Sequence, residues 1–166
     1  MGSIEAVLNG ALALGGTGGG LGGSLGGQLD VGVGGLGVRM DLAARAGPVS
    51  AIEARSLTVD IAPGLAWAPL ERSSASALAW ELRLAGLIRY VEVSHEGAPS
   101  ETRSRWLPGA RLTAASLWWF TQPWALVLWV GADATFGKTE ILWKGTEVSS
   151  LAPMFLSLGL GIRAQL

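Results

Sequence analysis

The chain holds one histidine, in the triplet Ser94-His95-Glu96. An imidazole within reach of a serine hydroxyl can act as its general base and turn it into a nucleophile. Neighbouring residues on a strand point to opposite faces, however, so Ser94 and His95 do not readily meet. The plainer reading of His95 is an exposed loop histidine at the start of a long Ser94–Arg105 connection. Other familiar chemistry is missing. The glycine tract Gly15–Gly20 has neither the lysine nor the following helix of a phosphate-binding loop. No histidine or carboxylate cluster has metal-ligand spacing, and with no cysteine there is no thiolate site and no disulfide. The expectation is therefore no cofactor, no metal and no enzymatic activity, with His95 as the single catalytic candidate.

The remaining residues able to do chemistry are charges, and their spacing is regular. Glu5, Asp30, Arg39, Asp41, Arg45 and Asp60 fall at alternate positions of apolar stretches, as do Glu81, Arg83, Arg89, Arg111, Asp133 and Arg163. These are six acids and six arginines, without a lysine. The only lysines, Lys138 and Lys144, lie in the last long connection. Such a set can pair into a neutral network. Alternatively, it can line a channel and select ions.

The elements that position these charges are strands. Strict alternation of apolar and other residues is the signature of a strand with two different faces. It recurs over Ile4–Leu14, Leu21–Val33, Leu36–Ala44, Leu57–Trp67, Leu78–Tyr90, Trp106–Trp118, Trp124–Phe136 and Met154–Leu166. The parity runs unbroken from Leu21 to Val33, which argues against a flexible glycine linker there. It flips at Gly34-Gly35, as a two-residue hairpin turn requires. Thr121-Gln122-Pro123 reads as another short turn. Short and long connections alternate, which describes an up-and-down meander. The chain thus reads as one all-β domain over residues 1–166, an eight-stranded antiparallel barrel.

Composition decides which face is outside. Of 166 residues, 49% are hydrophobic and only 15% are charged, where soluble domains average about 25% charged. The net charge is −1, which argues against nucleic acid as a partner. The apolar face of the eight strands carries no charge, and Ser116 is its only polar side chain. Its aromatic residues sit at its ends: Trp67, Trp80, Trp118 and Trp124 at one, Tyr90, Trp106 and Phe136 at the other. Trp and Tyr favour membrane interfaces, where the ring is apolar and one edge can hydrogen-bond. Ten steps separate Trp80 from Tyr90, and twelve separate Trp106 from Trp118. At ~3.3 Å per step and ~40° of tilt this is about 25–30 Å, the height of an outer-membrane apolar band. The use of arginine rather than lysine suits a confined interior, because a guanidinium serves several acceptors at once. The aromatic rings then face lipid and the twelve charges face the lumen. An eight-stranded lumen is just wide enough for its side chains to fill it, so the charges are expected to plug it.

With these features the chain resembles the small eight-stranded outer-membrane barrels of Gram-negative bacteria. Examples are the transmembrane domain of outer-membrane protein A and its OmpX-like relatives, and it looks closest to glycine-rich barrels of myxobacterial type. The resemblance is one of architecture over the whole chain. It rests on the alternation, the two aromatic belts and the final strand Met154–Leu166, which ends in Leu166 where the family usually has phenylalanine. The resemblance implies a monomer in the bacterial outer membrane, bedded in its lipids and inserted by the barrel-assembly machinery. It also places both termini and the short turns on the periplasmic side. Met1–Asn9 has no basic or apolar run of a signal peptide, which reads as either a cytoplasmic protein or a mature chain without its signal, and the resemblance implies the mature chain. A structural role in the envelope is the leading expectation. The alternatives are a narrow passive channel, a rim enzyme acting on lipid (as some small outer-membrane deacylases and palmitoyl transferases do with histidine and serine), and a soluble ligand-binding barrel.

Overall fold

A computed structural model describes residues 2–32, 34–49, 54–68, 77–95, 101–137, 140–143 and 146–166, with the backbone alone at 95, 101, 140–143 and 146–149. The strands are β1 (Gly2–Leu14), β2 (Gly20–Asp30), β3 (Leu36–Val49), β4 (Ala54–Trp67), β5 (Leu78–His95), β6 (Glu101–Thr121), β7 (Trp124–Thr135), β8 (Glu140–Trp143), β9 (Thr146–Ser150) and β10 (Met154–Gln165). Eight of them close a barrel in the order β1-β10-β7-β6-β5-β4-β3-β2, and β8-β9 form a separate two-stranded sheet. All barrel pairings are antiparallel, and the seam pairs the first strand with the last, Glu5 opposite Arg163 and Leu8 opposite Leu160. Closure leaves no unpaired edge, which an apolar strand needs wherever water cannot satisfy its backbone.

The alternation in sequence becomes an alternation in exposure. Along β10 Met154, Leu156, Leu158 and Leu160 are exposed, while Phe155 and Ser157 are buried. The interior is of two kinds. Val7, Ala115, Leu117, Ala125, Val127 and Trp129 form an apolar cluster inside the wall. Ala11, Ala152 and Phe155 form a second cluster, and many of the other buried side chains are charged or neutral polar ones, such as Asn9, Thr58 and Thr113. The termini and the connections after β2, β4 and β6 share one end of the barrel (the terminal end), and the connections after β1, β3, β5 and β7, the last carrying the β8-β9 hairpin, share the other (the loop end).

Several boundaries depart from the sequence reading. β2 stops at Asp30, and Val31 lies in the turn, its amide donating to the Leu36 carbonyl at 2.9 Å. The reversal is therefore longer than a Gly34-Gly35 pair, although both glycines have positive φ (56° and 73°). Gly35 also lies so close to the Ala68 carbonyl that a Cβ would collide with it. β3 runs on to Val49 and β6 begins at Glu101, so two supposed loops are largely ladder. The β8-β9 hairpin occupies what read as a plain connection. Val33, Lys138, Lys144 and most of the connection after Trp67 lie outside the described residues.

Candidate functional site

The inward charges assemble into two layers. Glu5 anchors the terminal-side layer. Arg39 Nη2 and Arg83 Nη1 each donate to its Oε1 at 2.9 Å. Arg83 Nη2 and Arg163 Nη2 donate to its Oε2, at 2.9 and 2.7 Å. Two further carboxylates complete the layer. Arg39 Nη2 donates to Asp41 at 2.7 Å, and Arg83 Nε to Glu81 at 2.6 Å. Arg163 also bridges to Glu81 through Nη1 and Nη2 at 2.8 and 2.9 Å. Three arginines thus meet three carboxylates.

Asp60 and Asp133 anchor the loop-side layer. Arg89 Nε donates to Asp60 at 2.8 Å, and its Nη2 to Asp133 at 2.6 Å. Arg111 Nε donates to Asp133 at 2.7 Å, and its Nη2 to Asp60 at 2.6 Å. Arg45 pairs closely with Asp60 and more loosely, at 3.4 Å, with Asp133. Asp60 and Asp133 are fully buried and Arg89 is 1% exposed. Such ions persist away from water only when opposite charges and hydrogen bonds surround them. The Phe155 ring packs 4.6 Å from the Arg89 guanidinium, a cation–π contact.

Much of this is set by strand register. Asp60 lies directly opposite Arg89, Arg111 opposite Asp133 and Glu5 opposite Arg163. Arg39 with Asp41, and Glu81 with Arg83, are two residues apart on one strand and share a face. Between the layers Trp129 is buried, and it faces Gly159 across the ladder so closely that a Cβ there would strike the indole. Asp30 is the inward candidate that joins neither layer. It is exposed at the end of β2 and accepts a hydrogen bond from Gln28 Nε2 at 3.2 Å.

On the outer wall Trp67, Trp80, Trp118 and Trp124 are exposed near the terminal end, and Phe120 joins them. Trp106 and Phe136 are exposed toward the loop end, and Tyr90 lies opposite Trp106 with ring centroids 5.1 Å apart. The Tyr90 hydroxyl donates to Glu92 at 2.9 Å, the wet end of an interfacial ring. His95 is the last residue of β5 rather than a loop residue, with its backbone paired to Glu101. The sequence reading missed Phe120 and Phe155. Both obey the alternation, Phe120 on the outward parity and Phe155 on the inward one.

A closed, antiparallel eight-stranded barrel with an apolar outer wall, aromatic ends and a charged interior has the fold of the small outer-membrane β-barrels. Solved structures agree. The chain is similar to Neisserial surface protein A, with a TM-score of 0.67 and 11% identity over 99% of this chain and 96% of that one. It is also similar to a major outer membrane protein from Thermus thermophilus, with a TM-score of 0.64 and 13% identity over 99% of each chain. Ail, the attachment invasion locus protein of Yersinia pestis, gives a TM-score of 0.55 and 12% identity over 98% and 95%. No known protein family and no curated protein matches the sequence. At such identities the likeness is one of fold.

Proposed function

We propose that this chain is a monomeric integral protein of the bacterial outer membrane, with a structural role in the envelope and a lumen closed by paired charges. One observation carries the reading: all six inward arginines are bound to carboxylates, in two successive layers contributed by strands all around the barrel. Multidentate pairs of this kind hold side chains across the bore and leave narrow voids between the layers rather than a continuous water path. The outer wall fits lipid, and the final strand, with its outward row of leucines, is the segment a barrel-assembly machine would read. With these partners the termini face the periplasm. No catalytic role is assigned to His95. The test is electrical. Purified barrel inserted into a planar lipid bilayer is expected to give no single-channel steps; reproducible steps would overturn the closed lumen and favour a narrow channel.

A further inference from the structure

The lipid-facing wall is uneven. Leu8, Leu12 and Leu21 are 78%, 72% and 77% exposed, where Leu156, Leu158 and Leu160 on the adjoining β10 are 50%, 55% and 54% exposed. The first three stand free because little flanks them. Leu8 lies opposite Gly23, and Leu21 lies between Gly10 and Ala46. Leu12 has no partner on β2, because that ladder ends at the Ala11–Gly20 pair. Past this pair β1 continues to Leu14 and β3 to Val49, while the chain entering β2 offers only Gly18 and Gly19 between them.

The result is an open groove of about 1210 Å³ in the side-chain layer of the wall. Leu8, Leu12, Leu21, Leu158 and Pro48 border it, and Gly10 lies on its floor. Its depth is that of one leaflet. On β1 the lining runs from Leu8, at mid-strand, to Ala13, five steps nearer the loop end. At ~3.3 Å per step and ~40° of tilt this is ~13 Å, about half of the ~25 Å apolar band. The groove is continuous with the lipid-facing wall. Left empty, it would forfeit dispersion contacts of the leucines that line it. A second barrel would press on the whole height of the wall, but the groove stops at mid-membrane. An acyl chain that hangs from the interface stops there too.

We propose that the groove binds one acyl chain of a lipid in the loop-end leaflet, with the ester end at the Gly18–Gly20 rim and the chain end against Leu8 and Leu160. The site rests on the lipid-facing wall. Identifying its leaflet as the outer one rests on the proposed orientation.

The test is photolabelling of barrel folded into phosphatidylcholine vesicles. These hold a trace of phosphatidylcholine with a diazirine either near the ester or near the chain end, and mass spectrometry of peptides maps the adducts. Outward positions in 8–21 and 156–160 are expected to take about fivefold more label than those of β4 to β6, a preference of ~1 kcal/mol. The near-ester probe is expected at 16–21 and the chain-end probe at Leu8 and Leu160. Gly10→Leu fills the groove. A Cβ there meets Leu21 Cδ2 at 3.0 Å, the far end of a flexible side chain, and otherwise only the Gly20 carbonyl oxygen at 3.9 Å. In this variant the excess label is expected to fall to the level of the other strands. If Gly10→Leu does not fold, Leu21→Ala, which removes one bank, must lose the excess in its place. Even labelling around the wall, a reversed depth order or an excess that survives these changes overturns the site. A dimer cross-linked through the same residues would assign the groove to a second copy and overturn it as well. A barrel that does not enter vesicles would overturn the membrane reading itself, whereas even labelling of an inserted barrel overturns the groove alone.

Discussion

Asp60 receives hydrogen bonds from arginines on three strands, Arg45 of β3, Arg89 of β5 and Arg111 of β6. A single carboxylate thus ties three staves of the barrel. Asp60→Asn leaves three buried guanidiniums facing one acid. The expected cost is about 3–5 kcal/mol, the range for breaking a buried ion pair, read as a lower urea midpoint for barrel folded in lipid vesicles. Asp30→Asn is the control: that carboxylate is exposed, and its loss is expected to stay within about 0.5 kcal/mol. At this scale the sequence was partly legible. Alternation sorted inward from outward charges, and same-strand pairs such as Arg39 with Asp41 follow from spacing alone. The division into two unequal layers did not, because Asp60 meets Arg89, and Glu5 meets Arg163, only once register and barrel closure are fixed. Asp30 has the right parity but lies at the strand's last position, where the bore has already ended.

β10 shows what a strand must do here. Its exposed leucines face outward, its buried Phe155 and Ser157 face inward, and Gly159 yields room to Trp129. Placing a charge on its outer face tests the assignment directly. Leu158→Arg, near mid-strand, is expected to destabilise the vesicle-folded barrel by about 2–4 kcal/mol, and Trp106→Arg, at the interface, to carry a transfer cost of only about 0–1 kcal/mol. Equal costs at both depths would contradict the lipid-facing wall. Strand identity was legible because a period of two persists over ten or more residues in most of these segments. Strand ends were not. The extension of β6 over 101–105 lacks the apolar half of the pattern, that of β3 carries only Ala46 and Pro48 on its outward parity, and the strands of the β8-β9 hairpin, at four and five residues, are too short to establish a period.

On the scale of the molecule, closure and the two faces determine the solution behaviour. A closed barrel with an apolar wall is expected to remain in the membrane fraction and to require detergent for extraction. On a cold detergent gel it is expected to migrate differently from heated protein, because the intact barrel binds less detergent than the unfolded chain. Folded monomer that stays in plain buffer would instead indicate a soluble barrel. The aromatic ends belong to one side of the wall. Trp67, Trp80, Trp118 and Trp124 lie on β4 to β7, whereas the outward positions of β10, β1, β2 and β3 are aliphatic or glycine.

The wall is also unequal in height. β5 and β6 have 18 and 21 residues, where β1 and β2 have 13 and 11. One ribbon, ending at His95 and Glu101 and carrying exposed Arg103 and Arg105, therefore projects past the Tyr90–Trp106 pair. Seen from outside a cell, in the proposed orientation, that crest and the β8-β9 hairpin at the same end are, among the described residues, surfaces that antibodies or phages could reach. Surface variation can then accumulate on the crest while the charged interior below it stays unchanged.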